Sequence, residues 1–182
     1  MKSPAFLLAA SMLALAAIGP VHAADISAPP EPLSLAGDIA GFFNDAFDAN
    51  NNGNTFSDRF TFTVGALPST LNAFVGSFSI GGGGSGLDIS GFGLYSVANG
   101  LVFSGDALNS GALDLWRLSS GALQAGDYYL QVEGTVVSDD ASNFAGAVLV
   151  TPVPEPAAMG MLVGGLGLLG FAARRRRALP AD

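Results

Sequence analysis

Between residues 55 and 64 the chain reads "TFSDRFTFTV", with apolar side chains recurring at nearly every second position. A strand alternates its side chains between two faces, so Phe56, Asp58, Phe60, Phe62 and Val64 share one face and Ser57, Arg59, Thr61 and Thr63 the other. The stretch "LQAGDYYLQVEGTV" repeats the pattern, with Tyr128, Leu130, Val132 and Val136 opposed to Tyr129, Gln131, Glu133 and Thr135. Runs of this kind, cut by Gly, Asn, Asp and Ser turns, predict strands over 56–64, 71–80, 87–97, 100–103, 113–118, 128–137 and 145–150. Residues 33–47 read equally as a strand or a short helix, and no helical period of useful length follows in the body of the chain. Seven short strands without a fixed repeat predict an all-β fold, an antiparallel β-sandwich-like single domain over residues 24–152.

The two ends break this pattern. Lys2 precedes an apolar run from Phe6 to Ile18, and Val21-His22-Ala23 supplies small residues for cleavage between Ala23 and Ala24. This predicts a signal peptide over 1–23, its helix too short to serve as an anchor and broken by Pro20. At the other end, residues 157–173 hold no charge and are followed by Arg174, Arg175, Arg176 and Arg177. As a helix that run rises about 25 Å against a hydrocarbon core of about 30 Å, a short transmembrane helix with its basic cluster kept on the cytoplasmic side. Gly160 and Gly164 form a GxxxG, a pattern common in glycine-rich spans.

Charge and residue content narrow the function. Residues 24–152 contain thirteen acidic residues and two basic ones, Arg59 and Arg117, which excludes nucleic acid as a partner. Cysteine is absent, and the single histidine, His22, lies in the signal peptide. The exported part therefore lacks thiol and imidazole chemistry, has no serine nucleophile motif, and reads as non-enzymatic. A glycosidase carboxylate pair is the one catalytic arrangement that needs no sequence signature.

Four local features carry candidate chemistry. In "DANNNGN", Asp48, Asn50, Asn52 and Asn54 place oxygen donors at alternate positions around Gly53, like the first half of an EF-hand loop. Arg59 stands where the bidentate glutamate belongs, so the alternatives are a weak calcium site and a metal-free Asn/Gly hairpin loop, the latter favoured. Otherwise no cofactor is expected. Gly81, Gly83 and Gly86 satisfy GxGxxG but lack the helix that gives that motif its use. Tyr129 and Trp116 read as packing aromatics or as stacking platforms for sugars. Asp58 is the anomaly of the best strand, because a carboxylate among phenylalanines is costly unless paired, hydrogen-bonded, metal-bound or left at the strand entrance.

Pro152, Pro154 and Pro156 hold Glu155 on an extended stalk just ahead of the apolar run. Pro154-Glu155-Pro156, a glycine-rich span and a terminal arginine cluster closely resemble the PEP-CTERM sorting signal of Gram-negative bacteria, here over 153–182. The resemblance implies an exosortase as partner, transient residence in the inner membrane, removal of the tail, and traffic with extracellular polysaccharide. Pro30-Glu31-Pro32 repeats the tripeptide without span or arginines and reads as linker. Phe56, Asp58 and Phe60 resemble the namesake motif of the FxDxF family of PEP-CTERM proteins, a likeness that brings no activity with it. The expectation is an exported cell-surface or extracellular-matrix protein, associated with biofilm or exopolysaccharide; the alternative is a module that binds carbohydrate or calcium.

Overall fold

Strands that are apolar on one face must bury that face, and two such sheets do so against each other. The computed structural model describes residues 23–36, 40–78, 86–111, 113–153 and 156–177, and within the last segment the side chains of 160–172, 174 and 175. The signal peptide predicted up to Ala23, most of the GxGxxG loop, Pro154 and Glu155 lie outside the described residues.

Among the described residues there are ten strands: β1 (Glu31–Pro32), β2 (Ala40–Phe47), β3 (Thr55–Val64), β4 (Ser69–Phe78), β5 (Leu87–Ser96), β6 (Gly100–Ser104), β7 (Asp106–Asn109), β8 (Leu115–Ser119), β9 (Gly126–Val136) and β10 (Ser142–Pro152). One sheet runs β1-β3-β9-β5-β6 and the other β2-β10-β4-β8-β7. Every pairing is antiparallel except β1 with β3. The expected sandwich of antiparallel sheets is thus present, with seven predicted strands each within a few residues of its place.

Three elements correct the sequence reading. The ambiguous 33–47 stretch resolves as β2, whose Phe43 and Phe47 point into the core. Pro30-Glu31-Pro32, read as linker, contributes an edge strand, where the missing Pro32 N–H costs no ladder bond. Strand β7 is exposed throughout and shows no alternation to read. It continues from β6 through Gly105, whose N–H donates to Phe92 O at 2.8 Å, and so carries the chain from one sheet to the other.

Phenylalanines dominate the core. Phe144 of β10 stacks on Phe56 with centroids 5.6 Å apart and meets Phe60 edge-on at 6.1 Å, joining the two sheets. Phe56 lies opposite Gly134 and Phe43 opposite Gly146 in the ladders. A Cβ at Gly134 would stand 2.5 Å from the Phe56 ring, and one at Gly146 would meet Phe43, so both glycines make room for rings.

After β10 comes α1 (Pro156–Arg177). Its described apolar side chains, including Leu162, Leu166, Leu169 and Phe171, are exposed, and none joins the core. The span predicted at 157–173 falls within α1. Among the described residues no helix is long and apolar enough to cross a membrane; the side chains of 157–159 and 173 are outside that description.

Candidate functional site

The Phe56-x-Asp58-x-Phe60 stretch folds into the centre of the sandwich. Phe56 and Phe60 are buried on the inner face of β3, and Asp58 between them is only 1% exposed. Its position is therefore the core and not the strand entrance. The Asp58 Oδ1 accepts the Ala28 N–H at 2.8 Å, which fastens the N-terminal segment, while Oδ2 has no hydrogen-bond partner among the described residues. Burial raises its pKa to about 7, against the lowering effect of the Ala28 bond, and Asp45 and Asp25 push in the same direction as burial.

Asp45 lies on β2 of the opposite sheet, half-buried between the inward-facing Phe43 and Phe47, with its Oδ1 accepting the Ala46 N–H at 2.7 Å, and its charge acts on Asp58. The residues around it read Phe43-Asn44-Asp45-Ala46-Phe47, a second Phe-x-Asp-x-Phe. The two copies face each other head to tail: Phe43 is 4.8 Å from Phe60 and Phe47 is 4.7 Å from Phe56, centroid to centroid. Sequence reasoning missed Asp45; scanning the chain for its own five-residue motif was the signal that finds it.

A second buried acid, Asp114, escaped notice altogether. Its carboxylate accepts the Ile89 N–H at 2.9 Å, the Gly111 N–H at 3.0 Å and the Ser77 hydroxyl at 3.3 Å. Unlike Asp58, it leaves no oxygen without a donor.

On the outer face of the first sheet, Tyr95 and Tyr129 stack at 5.0 Å, 4° from parallel, and the Arg59 guanidinium lies 5.3 Å from the Tyr129 centroid. Since β3 and β5 flank β9 on opposite sides, Arg59 and Tyr95 cover both faces of the Tyr129 ring. Arg59 Nε also donates to Gln131 Oε1 at 2.9 Å, and Gln131 Nε2 donates to Glu133. The depression beside them, about 110 Å³, is floored by Gly91 and Gly93 and bordered by Tyr95, Leu101 and Glu133. Burial, followed by the Glu133 charge, pushes the Tyr95 phenol up. Trp116 donates its indole N–H to Ile89 O at 3.0 Å and packs on the core. Trp116 is thus half-buried, and the Tyr129 ring is flanked by Tyr95 and Arg59.

The Asn-rich loop spends its donors internally. Asn54 Oδ1 accepts the Ala24 N–H at 2.9 Å, Asn54 Nδ2 donates to Asn51 Oδ1 at 3.0 Å, and Asn51 Nδ2 donates to Asp48 O at 3.0 Å. Asn50 has φ 68°, a left-handed position that Asn tolerates, and Gly53 has φ 86°. Among the described residues no group of three or more acids or histidines is placed to hold a metal.

The tail leaves directly from the second sheet. Strand β10 lies between β2 and β4 and pairs with β4 as far as Pro152 opposite Ser69; the Val153 N–H then donates to Pro68 O at 2.7 Å. Beyond this tie comes α1, ending in the arginines, of which Arg174 and Arg175 are exposed. Residues 152–177 match the family model of the PEP-CTERM protein-sorting motif. The chain carries a PEP-CTERM sorting signal. PEP-CTERM proteins are exported and sorted by an exosortase in Gram-negative bacteria, so this chain is an exosortase-sorted precursor that passes the inner membrane. Among curated proteins, none matches the chain. Of solved structures, it is similar to PliG of Aeromonas hydrophila, a periplasmic inhibitor of g-type lysozyme, at 17% identity over 70% of this chain and 100% of that one, with a TM-score of 0.43. It is also similar to the pre-peptidase C-terminal domain of a Bacillus anthracis collagenase, at 14% identity over 66% and 94% of the two chains and a TM-score of 0.38.

Proposed function

We propose that the protein is a non-enzymatic FxDxF-type PEP-CTERM protein of the cell surface or extracellular matrix. In this reading signal peptidase cuts between Ala23 and Ala24, residues 24–152 emerge as the exported β domain, and residues 157–173 hold the precursor in the inner membrane with Arg174–Arg177 inside. Exosortase then takes Pro154-Glu155-Pro156 and releases the domain toward exopolysaccharide. The observation that carries it is the sorting match at 152–177 on a tail that leaves the sheet at Val153. The seating of the chain from Ala24 onward, through Asn54 and Thr55, supports the upstream cut.

Against catalysis stands the state of the acids. A glycosidase needs its two carboxyls open to substrate across about 5–10 Å of cleft, whereas Asp58 is enclosed by phenylalanine rings.

Intact mass and location of the protein in its own cells, beside Glu155→Ala, test the proposal. Loss of the tail and export of the wild type, with the variant held in the inner membrane, is the expected result. Retention of the tail by both makes this a membrane-anchored periplasmic protein and overturns it.

A further inference from the structure

The unpaired Asp58 oxygen needs a partner, and the surroundings decide which. Two ionised carboxylates set between Phe43, Phe47, Phe56 and Phe60 repel one another, and Asp58, the buried one of the two, loses its hydration while Asp45 is half-buried. Arginine does not relieve them: Arg59 is the neighbour of Asp58 but points to the outer face, onto Tyr129 and Gln131. Nor do the neighbouring strands, which place Val132 opposite Asp58 and Phe144 opposite Asp45. Among the described residues the other charged group that acts on Asp58 is Asp25, itself acidic and bonded to Ser27. A calcium ion asks for six to eight oxygens, and phenylalanine walls supply none. A proton needs only the two carboxyls already present.

We propose that Asp45 and Asp58 share one proton and form an acid–carboxylate clasp between β2 of one sheet and β3 of the other, so that the domain is tighter in acid than in mild alkali. The shared proton gives Asp58 Oδ2 its partner while Oδ1 keeps the Ala28 N–H, so the clasp also fastens the N-terminal segment. Because the folded pKa, about 7, lies above the unfolded value of 3.8, the folded state binds more protons across that interval. The clasp is complete below about pH 4 and is lost as pH rises through about 7.

The test uses the full chain in detergent. Asn in place of Asp58 imitates the protonated acid, with one acceptor for Ala28 and one donor for Asp45. Melting temperature is followed from pH 4 to 8.5 for the wild type and Asp58→Asn, together with the side-chain carboxyl carbon resonances of labelled aspartate in the wild type. The variant is expected to melt at or below the wild type near pH 4.5 and above it at pH 8. One carboxyl of the pair is expected to titrate above pH 6, on the order of 100-fold or more in proton affinity beyond an ordinary aspartate. Parallel melting curves overturn the proposal, as does a variant that loses more at pH 8 than at pH 4.5. If the variant fails to fold, the wild-type resonances decide: both acids titrating below pH 5 overturn it.

Discussion

The Asp114 carboxylate, immediately before β8 in one sheet, accepts the Ile89 backbone N–H of β5 in the other at 2.9 Å, and is 0% exposed. Asp114→Ala strands the donors of Ile89 and Ser77 in the interior and is expected to cost about 3–5 kcal/mol. For a domain whose whole stability is about 5–15 kcal/mol, that approaches unfolding. Asp114→Asn keeps one acceptor and is expected to lose less. Urea titration of both variants checks the order; equal, small losses contradict the tie.

Gly134 and Gly146 are expected to reject even a methyl group. Gly134→Ala meets both the Phe56 ring and Asp88 O, each 2.5 Å from the new Cβ, so a shift of Phe56 alone does not make room. A loss of about 1–3 kcal/mol is expected at each position, and calorimetric melting of the two variants measures it. Gly65, whose Cβ site meets nothing within 4 Å, is the control.

Trp116→Phe removes the indole bond to Ile89 O and is expected to cost about 1 kcal/mol without changing retention on extracellular polysaccharide. Tyr129→Ala is expected to leave retention unchanged as well, because Arg59 and Tyr95 already cover its ring. Pull-down with each variant reads this directly, and loss of retention in either restores a sugar-binding role for that face.

Calcium is expected to do little. Asn54 is committed to Ala24 and Asn51, and Asp48 supplies the only carboxylate of the proposed half-loop. A site with a dissociation constant near 1 mM, typical of weak extracellular modules, adds only about 0.4 kcal/mol at 1 mM calcium. Melting in 1 mM calcium and in chelator is expected to differ by less than about 2 °C. A larger rise makes the Asp48–Asn54 loop a metal site.

What the sequence made legible follows from where its information is local. Strands β3 and β9 carry a regular alternation because one face of each is buried, β5 alternates on either side of a bulge at Ile89–Gly91, and the predicted bounds of all three lie within two residues of those found. Strand β1 has two residues and a parallel partner thirty residues away, so no window of sequence contains it. β7 has no buried face, and its pairing with β8 comes from the turn of the chain at Gly105. The burial of Asp58 depends on the segment near Ala28 closing over it and on Asp45 from the other sheet, both tertiary facts. The sorting motif at 152–177 was legible because it is a local order of proline, glutamate, apolar run and arginines that needs no tertiary contact to be read.

The emergence of the tail from β10 bears on mechanics. β10 is an inner strand, bonded to β2 on one side and β4 on the other, and in the proposed anchored precursor the membrane holds its C-terminal end. Tension between membrane and domain therefore runs along the strand axis and loads two ladders of hydrogen bonds together in shear, instead of peeling an edge strand bond by bond. A domain hung in this way resists being drawn apart while its tail is held.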